Sequence, residues 1–265
     1  FLLAILYNKF MKGFCNKECT LVLGDCAKKM KEINDKVVDL ILTDPPYNLG
    51  LFMKNRETNL GALRSNHFAA SNWDHVSQKE WEANMNIFFK ESSRILKKSG
   101  AMLVFASLIK IETLNNIAQK NGFYYKTTGV WHKTNPMPRN MNIHFVNSTE
   151  AWVYFINHGK TGKFNNNGKV IHDFYESAVI GKKEKKYGKH PTQKPIALME
   201  HFVELLTDKD DMILDPFMGS GSTGVATLNK GRRFYGIELD ESYYKTSLHR
   251  VADILKTREF NNESN

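Results

Sequence analysis

Two apolar runs of this chain each end in an acidic residue that is followed by a stiff or glycine-rich turn. Val38–Thr43 leads into Asp44-Pro45-Pro46-Tyr47, and the run 212–214 leads into Asp215 and a glycine-rich loop. Short apolar runs between turn residues are typical of buried parallel strands. Because open α/β sheets bind ligands at the carboxyl ends of such strands, both acids are expected to lie at a ligand-binding crevice.

Strand and helix patterns alternate along the 265 residues of the chain. This alternation predicts an α/β fold with a doubly wound, mostly parallel sheet of seven strands. A chain of this length favours one large domain with an insertion over two equal domains. The predicted strands are 20–23, 38–43, 101–106, 123–131, 151–156, 212–214 and 234–237, and the predicted helices are 27–33, 81–96, 109–119, 196–206, 222–229 and 243–255.

The charge and the cysteine content narrow the class of protein. Lys and Arg number 37 against 28 Asp and Glu, which gives a formal net charge of +9. That charge suits a nucleic-acid partner, although a generic basic cytosolic protein would share it. Since no apolar stretch is long enough to span a bilayer, no membrane partner is expected. Three cysteines cannot all pair, and Cys15 and Cys19 lack a second metal-binding pair, so we predict a cytoplasmic protein without a metal.

The loop after Asp215 is predicted to hold a cofactor. Gly219–Gly224 matches the glycine pattern of dinucleotide-binding folds, so NAD is one candidate and a turn without a ligand is another. However, Asp215 places a carboxylate where the pyrophosphate of NAD would lie. A carboxylate instead suits the positively charged amino acid part of S-adenosylmethionine. Glu238 ends the next strand close to the offset of about 20 residues at which an acid binds a ribose hydroxyl, so we assign it that role.

A third acid follows the first predicted strand. Asp25, in Leu23-Gly24-Asp25-Cys26, could reach the same crevice and accept a hydrogen bond from an adenine amino group. It also precedes the helical pattern 27–33, where it could cap the free backbone amides. From the residues alone, the helix cap is the favoured interpretation.

The Asp-Pro-Pro-Tyr turn suits chemistry on the exocyclic amino group of a nucleobase. The lone pair of that nitrogen is drawn into the ring, and two acceptors for its hydrogens would localise the pair for attack on a methyl sulfonium. Asp44 provides one acceptor and the Pro45 carbonyl could provide the other, while Pro45 and Pro46 stiffen the turn. Tyr47 offers a ring on which an extruded base can stack. The alternative is a rigid turn whose tyrosine belongs to the core.

With these residues in place, the chain resembles the beta class of DNA amino-methyltransferases, and most of all the adenine-N6 enzymes of restriction-modification systems. In that class an Asp-Pro-Pro-Tyr motif precedes the target-recognition region, which precedes a Phe-x-Gly-x-Gly cofactor motif. Residues 44–47 match the first motif, and Phe217–Gly221 matches the second. The resemblance implies a Rossmann-like methyltransferase fold and direct methyl transfer from S-adenosylmethionine, without a covalent enzyme intermediate.

The resemblance also assigns binding residues. His190–Pro195 looks like the family segment ahead of the cofactor helix, which implies that Thr192, Gln193 and Lys194 contact the methionine carboxylate. It raises Asp25 above a helix cap, because a Gly-Asp-Cys segment near the amino terminus commonly reaches the adenine ring of the cofactor. The complete set of expected cofactor-binding residues is Asp25, Cys26, Asp44, Thr192, Gln193, Lys194, Asp215, Phe217, Gly219, Ser220, Gly221, Ser222, Thr223 and Glu238.

Adenine N6 is the expected target. In the family that the chain resembles, Asp at the first catalytic position is commoner for adenine and Ser for cytosine, so Asp44 favours adenine and leaves cytosine N4 as the alternative. Asn135–Asn140 resembles a segment of some adenine enzymes that leads into the recognition region, with an ordinary double-proline loop as the alternative. Trp131 could help to enclose the extruded base or could belong to the core.

Residues 133–190 are predicted to recognise DNA, since they combine many Lys and Asn residues with aromatics. Phosphates need cations, and base edges need amide or guanidinium donors. The candidate base or phosphate contacts are Arg139, Asn140 and His144, and the candidate backbone contacts are Lys182, Lys183, Lys185 and Lys186. A solvated charged loop is the alternative for each. This segment would divide one methyltransferase domain into a catalytic half, 1–132, and a cofactor-binding half, 191–265.

The residues and the resemblance together predict a site-specific DNA adenine-N6 methyltransferase that acts on double-stranded DNA at the bacterial nucleoid, with a homodimer as an open alternative for its assembly. A methyltransferase of RNA or of protein glutamine is one rival, but those enzymes usually place the cofactor motif first. A catalytically silent DNA-binding module is a rival of another class. The intact Asp44 and Tyr47 argue against it.

Overall fold

The computed structural model describes residues 14–49, 76–137, 145–181, 184, 186 and 193–263, with side chains up to residue 257. Nine strands lie within these residues: β1 (Phe14–Cys15), β2 (Cys19–Leu23), β3 (Val38–Thr43), β4 (Leu96–Ala106), β5 (Phe123–Lys133), β6 (Thr149–Asn157), β7 (Phe174–Ser177), β8 (Met212–Asp215) and β9 (Arg233–Glu238). Six α-helices accompany them: α1 (Cys26–Lys29), α2 (Gln78–Ile95), α3 (Ile111–Lys120), α4 (Ile196–Leu206), α5 (Ser222–Asn229) and α6 (Glu241–Glu263).

The strands form one sheet in the order β1-β2-β9-β8-β3-β4-β6-β5-β7. In the sheet, the five neighbouring strands β2, β9, β8, β3 and β4 run parallel to one another. β6 lies between β4 and β5 and is antiparallel to both. All seven predicted strands are present, and the prediction of an α/β fold with a mostly parallel sheet is confirmed. The predicted number of seven strands is too low, because β1 and β7 add one short strand at each edge of the sheet.

Alternate residues of the central strands enter two different hydrophobic cores. In β3, Leu40 and Leu42 belong to the core that includes residues of α4, α5 and α6, whereas Ile41 belongs to the core that includes residues of α1, α2 and α3. Because side chains alternate across a strand, three helices lie on each face of the sheet, which is the doubly wound arrangement. None of these described helices is long and apolar enough to cross a membrane.

The helices follow the sequence prediction to different degrees. α4 and α5 begin and end at the predicted residues. The first predicted helix, 27–33, is shorter than expected, because α1 ends at Lys29 and a 3-10 turn follows at Met30–Glu32.

β3 and β8 are the two strands that position the site. They lie side by side in parallel, with Leu40 opposite Ile213. The chain continues from β3 to β4 on one side and from β8 to β9 on the other. Adjacent strands whose connections diverge in this way form the switch point of an open α/β sheet, where ligands bind. Asp44 directly follows β3 and Asp215 ends β8, so both predicted motifs meet at this point.

Part of the segment that we assign to DNA recognition belongs to the main sheet. Residues 149–157 and 174–177 lie within 133–190, yet they form β6, between β4 and β5, and β7, at the edge beside β5. Recognition of DNA therefore stays a prediction for the parts of this segment that lie outside β6 and β7.

Candidate active site

The turn after β3 is held against α2. Trp81 of α2 donates its indole N–H to the Pro46 carbonyl at 3.1 Å. Asn48, whose backbone is left-handed with φ 51°, donates to the Val76 carbonyl at 3.0 Å. Trp81 thus occupies the carbonyl of Pro46, whereas the acceptor that we predict for the target nitrogen is the carbonyl of Pro45. Sequence reasoning missed Trp81, because an aromatic residue in an amphipathic helix is usually a core residue.

The carboxylate of Asp44 accepts hydrogen bonds from two side chains. The Tyr47 hydroxyl donates to Oδ1 at 2.5 Å, and the Lys194 ammonium donates to Oδ2. The side chain of Asp44 is 20% exposed and that of Lys194 is 4% exposed. The Tyr47 ring packs against the core with α4, α5 and α6. Its hydroxyl therefore orients the carboxylate, and stacking of its ring on a base stays a prediction.

Lys194 also binds a second acid. Its Nζ lies 3.0 Å from Glu150 Oε2, and Lys133 Nζ lies 2.5 Å from Glu150 Oε1. Burial would raise the pKa of Glu150, but Lys194 and Lys133 outweigh it and hold that pKa at about 2. For Asp44 burial prevails and raises its pKa above the usual range, although Lys194 opposes the shift. Two acids and two lysines thus form a cluster with balanced charge.

The structure assigns Lys194 a neighbourhood that the sequence did not predict. We expected Thr192, Gln193 and Lys194 to contact the methionine carboxylate, and that contact stays a prediction. Gln193 donates from Nε2 to the Glu184 carbonyl at 3.1 Å, while its Oε1 is buried without a hydrogen-bond partner among the described residues. Sequence reasoning missed Glu150. The available signal is a single acid directly before the apolar run 151–156.

Asp215 is buried at the end of β8, where it connects the glycine loop to β3. Its Oδ1 accepts hydrogen bonds from the Thr43 hydroxyl at 2.7 Å and from the Phe217 amide at 3.1 Å. Its Oδ2 accepts one from the Thr223 hydroxyl at 2.6 Å. Burial raises the pKa of Asp215 to about 6, although these three donors oppose the shift. The hydrogen bond from Thr43 fixes the Asp-Pro-Pro-Tyr turn, residues 44–47, relative to the glycine loop.

Gly221 allows α6 to pack against the glycine loop. Its φ is 81°, in the left-handed region. A Cβ at this position would lie 2.8 Å from the Cβ of Ser247 on α6. Both the backbone angle and the space therefore require glycine.

Arg250 reaches into the same loop from α6. Its Nη1 donates to the Ser220 carbonyl at 2.9 Å, to Ser220 Oγ at 3.1 Å and to Ser222 Oγ at 3.2 Å. Its Nη2 is buried and has no hydrogen-bond partner in the described part of the chain. Sequence reasoning missed Arg250, because an arginine in an amphipathic helix usually lies at the surface.

Glu238 ends β9 beside the glycine loop. Its Oε2 accepts a hydrogen bond from the Gly219 amide at 2.8 Å, and its Oε1 accepts one from the Asp240 amide at 2.7 Å. Burial raises the pKa of Glu238 to about 7 despite these amides. The carboxylate therefore lies at the crevice where the sequence predicts it, and its contact with a ribose stays a prediction.

Asp25 caps α1. Its Oδ1 accepts a hydrogen bond from the Lys28 amide at 3.1 Å, which confirms the helix-cap interpretation. The Gly24 amide donates to the Glu238 carbonyl at 2.8 Å, so this segment lies beside the end of β9. Cys26 is buried, and burial raises the pKa of its thiol well above the usual range. Contacts from Asp25 and Cys26 to a cofactor stay predictions.

Most of the residues predicted to bind DNA lie outside the described part of the chain, namely Arg139, Asn140, His144, Lys182, Lys183 and Lys185. Thr192, which is predicted to bind the cofactor, also lies outside it. Lys186 is described, and its exposed Nζ lies 3.4 Å from Asp253 Oδ2. Trp131 is buried in the core and donates its indole N–H to Ser177 Oγ at 2.9 Å. Its role is therefore in the core, and the idea that it encloses a base is not supported.

Several polar groups of the crevice lack an ion-pair or a hydrogen-bond partner among the described residues, and together they complement a ligand that carries a cation, hydroxyls and a carboxylate. Asp215 and Glu238 have raised pKa values and, among the described residues, no ion pair, so an ammonium or hydroxyl donor would stabilise them. Gln193 Oε1 and Arg250 Nη2 are a buried acceptor and a buried donor without partners in the described residues. S-adenosylmethionine carries all three kinds of group, and these residues fit it.

Comparison with known proteins gives consistent results. The family model described as DNA methylase, for N6 and N4 methyltransferases, matches residues 38–249. The type II methyltransferase M2.DpnII of Streptococcus pneumoniae is 32% identical over 251 residues, covering 91% of this chain and 92% of the relative. The type II methyltransferase M2.MboI of Moraxella bovis is 32% identical over 260 residues, covering 91% of each chain.

Solved structures show the same similarity. The crystal structure of an M1.HpyAVI–SAM complex has a TM-score of 0.65 and 26% identity, covering 88% of this chain and 99% of that one. The cytosine-N4-specific PvuII DNA methyltransferase has a TM-score of 0.71 and 19% identity, covering 90% of this chain and 92% of that one. At that identity, the PvuII comparison supports the fold alone.

Proposed function

Because this chain belongs to the DNA methylase family of N6 and N4 methyltransferases, we propose that it methylates N6 of an adenine extruded from duplex DNA. It is a DNA methyltransferase of the type found in restriction-modification systems, and its cofactor is S-adenosylmethionine. The observation that carries the proposal is the carboxylate of Asp44 at the switch point of the sheet. The Thr43 hydroxyl donates a hydrogen bond to Asp215 at 2.7 Å, which holds the residue before Asp44 beside the cofactor loop.

Asp44 is the residue that acts on the target amino group. Its carboxylate accepts one N6 hydrogen, the Pro45 carbonyl accepts the other, and the lone pair is thereby localised on nitrogen. The cofactor supplies the methyl group as an electrophile. Methylation leaves the nitrogen with a surplus proton, and Asp44 accepts it more readily because burial raises the pKa of this acid. The Tyr47 hydroxyl, 2.5 Å from Oδ1, keeps the carboxylate oriented throughout.

The cofactor would lie across the ends of β8, β9 and β2. Asp215 and the glycine loop would hold its amino acid part, Glu238 its ribose and Asp25 its adenine. The hydroxyls of Ser220 and Ser222 both accept hydrogen bonds from Arg250, so their own hydrogens remain available to a carboxylate. Each of these groups lies in or next to the loop that Asp215 and Glu238 bind together.

Extrusion of the adenine follows from the position of Asp44. A carboxylate in a crevice of the sheet cannot reach an amino group inside a stacked duplex, so the base must leave the helix. The Tyr47 hydroxyl lies 2.5 Å from Asp44 Oδ1, and we assign to the exposed part of its ring the role of a stacking surface.

We assign DNA recognition to the parts of residues 133–190 that lie outside β6 and β7. Arg139, Asn140 and His144 are the candidate base or phosphate contacts, and the lysines are the candidate backbone contacts. Replacing Lys182, Lys183, Lys185 and Lys186 with Ala should weaken binding to every sequence and flatten the salt dependence by roughly 0.9 for each phosphate that is no longer bound. Arg139→Ala should instead cost about 1 to 3 kcal/mol on the preferred site and little on random DNA.

Fluorescence anisotropy with cognate and random duplexes over a salt series measures both effects. An unchanged salt slope in the lysine variant would remove this segment from the DNA-binding face. Equal losses on both duplexes would make Arg139 a phosphate contact.

The proposed function is tested by the product. Incubation with methyl-labelled S-adenosylmethionine and unmodified genomic DNA, followed by digestion to nucleosides, should yield labelled N6-methyl-2′-deoxyadenosine. Labelled N4-methyl-2′-deoxycytidine would move the target to cytosine. In parallel incubations with cellular RNA and protein, label there but not in DNA would favour the rival methyltransferases, and no label in any of the three would favour a silent DNA-binding module; either result would contradict the proposal. Asp44→Ala is the control for contaminating activity.

A further inference from the structure

The carboxylate of Asp44 is part of a chain of alternating charges, with Lys194 buried and the other three groups partly buried, that joins four separate elements. Lys194, which precedes α4, donates to Asp44 after β3 and lies 3.0 Å from Glu150 of β6. Lys133, the last residue of β5, lies 2.5 Å from the other oxygen of Glu150. The order is therefore Asp44, Lys194, Glu150, Lys133.

Lys194 depends on both acids to be charged where it lies. Burial would lower the pKa of a lysine that is 4% exposed, but Asp44 and Glu150 raise it above its usual range. An ammonium has three hydrogens, so Lys194 can contact Asp44 and Glu150 at the same time. Glu150 therefore both holds the position of Lys194 and offsets part of its charge.

We propose that Glu150 is a positioning residue for methyl transfer, which through Lys194 fixes the orientation of Asp44 and keeps its carboxylate available to the substrate amino group. The inference rests on the proposed role of Asp44 as the acceptor. Without Glu150, the whole charge of Lys194 would act on Asp44. The carboxylate would then be bound more tightly to Lys194 and would be a weaker acceptor for the amino hydrogen.

The charged groups around Asp44 determine the sign of each effect. Tyr47 of the same turn and Lys194 contact the carboxylate, Glu150 lies behind Lys194, Lys133 lies behind Glu150, and Asp215 of β8 lies on the cofactor side. Loss of the negative charge of Glu150 lowers the pKa of Asp44. Loss of the positive charge of Lys194 raises it.

The test is the pH dependence of single-turnover methyl transfer at saturating cofactor and DNA. The rate should rise with pH as Asp44 ionises. Glu150→Gln should move this rise to lower pH and Lys194→Met should move it to higher pH, each by about 1 unit, the size expected for a charge within about 6 Å. Glu150→Gln should also lower the plateau rate by about 10-fold, since positioning losses reach about 100-fold. A purely structural role would not shift the two profiles in opposite directions.

Glu176→Gln is the matched control. Glu176 lies on β7, the edge strand beside β5 and outside the parts of the chain assigned to DNA recognition. It forms an exposed pair with His132 at 2.8 Å, so its removal should leave the profile in place. Calorimetric titration with S-adenosylhomocysteine checks that cofactor binding persists in the Glu150→Gln variant. If Glu150→Gln does not fold, Lys133→Met replaces it, and its profile should move upward by less than that of Lys194→Met.

Shifts in the same direction for Glu150→Gln and Lys194→Met, or no shift in either, would overturn the inference. Where Lys133→Met replaces Glu150→Gln, a profile that stays in place or moves downward would overturn it. The proposed function fails by a different result, namely wild-type turnover in Asp44→Ala. The two failures are therefore distinguishable within one set of variants.

Discussion

The two acidic sites of the crevice are stabilised in opposite ways. At the catalytic turn, Asp44 is bound by the buried cation Lys194. At the cofactor loop, Asp215 and Glu238 accept hydrogen bonds from hydroxyls and backbone amides, and neither forms an ion pair with any described residue. The proposed catalytic acid is thus balanced by the protein itself, whereas under the proposed function Asp215 and Glu238 would gain a cationic or hydroxyl partner when the ligand binds.

This difference predicts the direction in which the stability of the folded protein changes with pH. Burial raises the pKa of Asp215 to about 6 and that of Glu238 to about 7, above their values in the unfolded chain. A carboxyl with a raised pKa in the folded state contributes stability at low pH and loses it as the pH rises through that pKa. The protein without ligand should therefore lose stability as the pH rises from about 4 to about 6 at Asp215 and from about 4.5 to about 7 at Glu238. A ligand that favours the ionised forms would reverse this loss.

The largest expected effect separates the two sites by activity. Asp44→Ala should lower the rate of methyl transfer by at least about 100-fold, the usual result of losing a preorganised polar contact in the transition state. Cofactor binding should remain nearly intact, because Asp215 and Glu238 are unchanged. Single-turnover methylation and calorimetric titration measure the two properties. Near-wild-type turnover would remove Asp44 from the catalytic role.

A second effect tests the identity of the ligand at the cofactor site. S-adenosylmethionine and S-adenosylhomocysteine at about 100 times Kd should stabilise the folded protein by about 2.7 kcal/mol and raise its Tm. NAD should leave the Tm unchanged, because the carboxylate of Asp215 would repel a pyrophosphate. Glu238→Ala should reduce the shift. A Tm increase with NAD would mean that the glycine loop binds a dinucleotide.

A third effect concerns Asp215 and Glu238, which accept hydrogen bonds but form no ion pair with any described residue. The ammonium of the cofactor favours ionised Asp215, so binding should release protons and the affinity should increase as the pH rises from about 5.5 to about 7.5, by less than about 10-fold per unit for each group. Glu238→Gln should remove the part of this dependence above about pH 6. Titration calorimetry in buffers of different ionisation enthalpy measures the proton release directly. Equal affinity at both pH values would contradict the comparison.

The smallest expected effect concerns the rigidity of the catalytic turn. Trp81→Phe removes the hydrogen bond to the Pro46 carbonyl while keeping an aromatic ring in the core. The free energy of unfolding should decrease by about 0.5 to 1.5 kcal/mol, the net value of one hydrogen bond, and the methylation rate should fall a few-fold. Urea unfolding and single-turnover kinetics check it. Trp131→Phe, which affects a core indole bonded to Ser177, serves as the control for loss of an indole alone.

Sequence reasoning was most successful where a short local pattern determines the structure. The apolar run 38–43 became β3, the helical patterns 196–206 and 222–229 became α4 and α5, and Asp25 caps α1 as its position before a helix predicts. β7 was missed because four partly polar residues at the edge of a sheet carry almost no periodic signal.

The partners of the predicted residues could not be obtained from local patterns. Lys194 and Asp44 are 150 residues apart, and Arg250 and Ser220 are 30 apart on separate elements. A buried ion pair depends on which strands become neighbours, and that is a property of the whole sheet. The sequence therefore predicted the position of Asp44, Asp215 and Glu238 at the crevice, but not that of Glu150, Arg250 or Trp81; the roles of the three acids stay predictions.

The position of β8 between β3 and β9 also governs how the chain can fold while the ribosome is making it. Thr43 at the end of β3 and Asp215 at the end of β8 are 172 residues apart, whereas β4 follows β3 much earlier. One edge of β3 therefore stays open during most of translation, and open apolar edges pair readily with other chains. We expect the nascent chain to expose this edge until β8 emerges, and a chain that lacks β8 cannot place Asp215 beside Thr43.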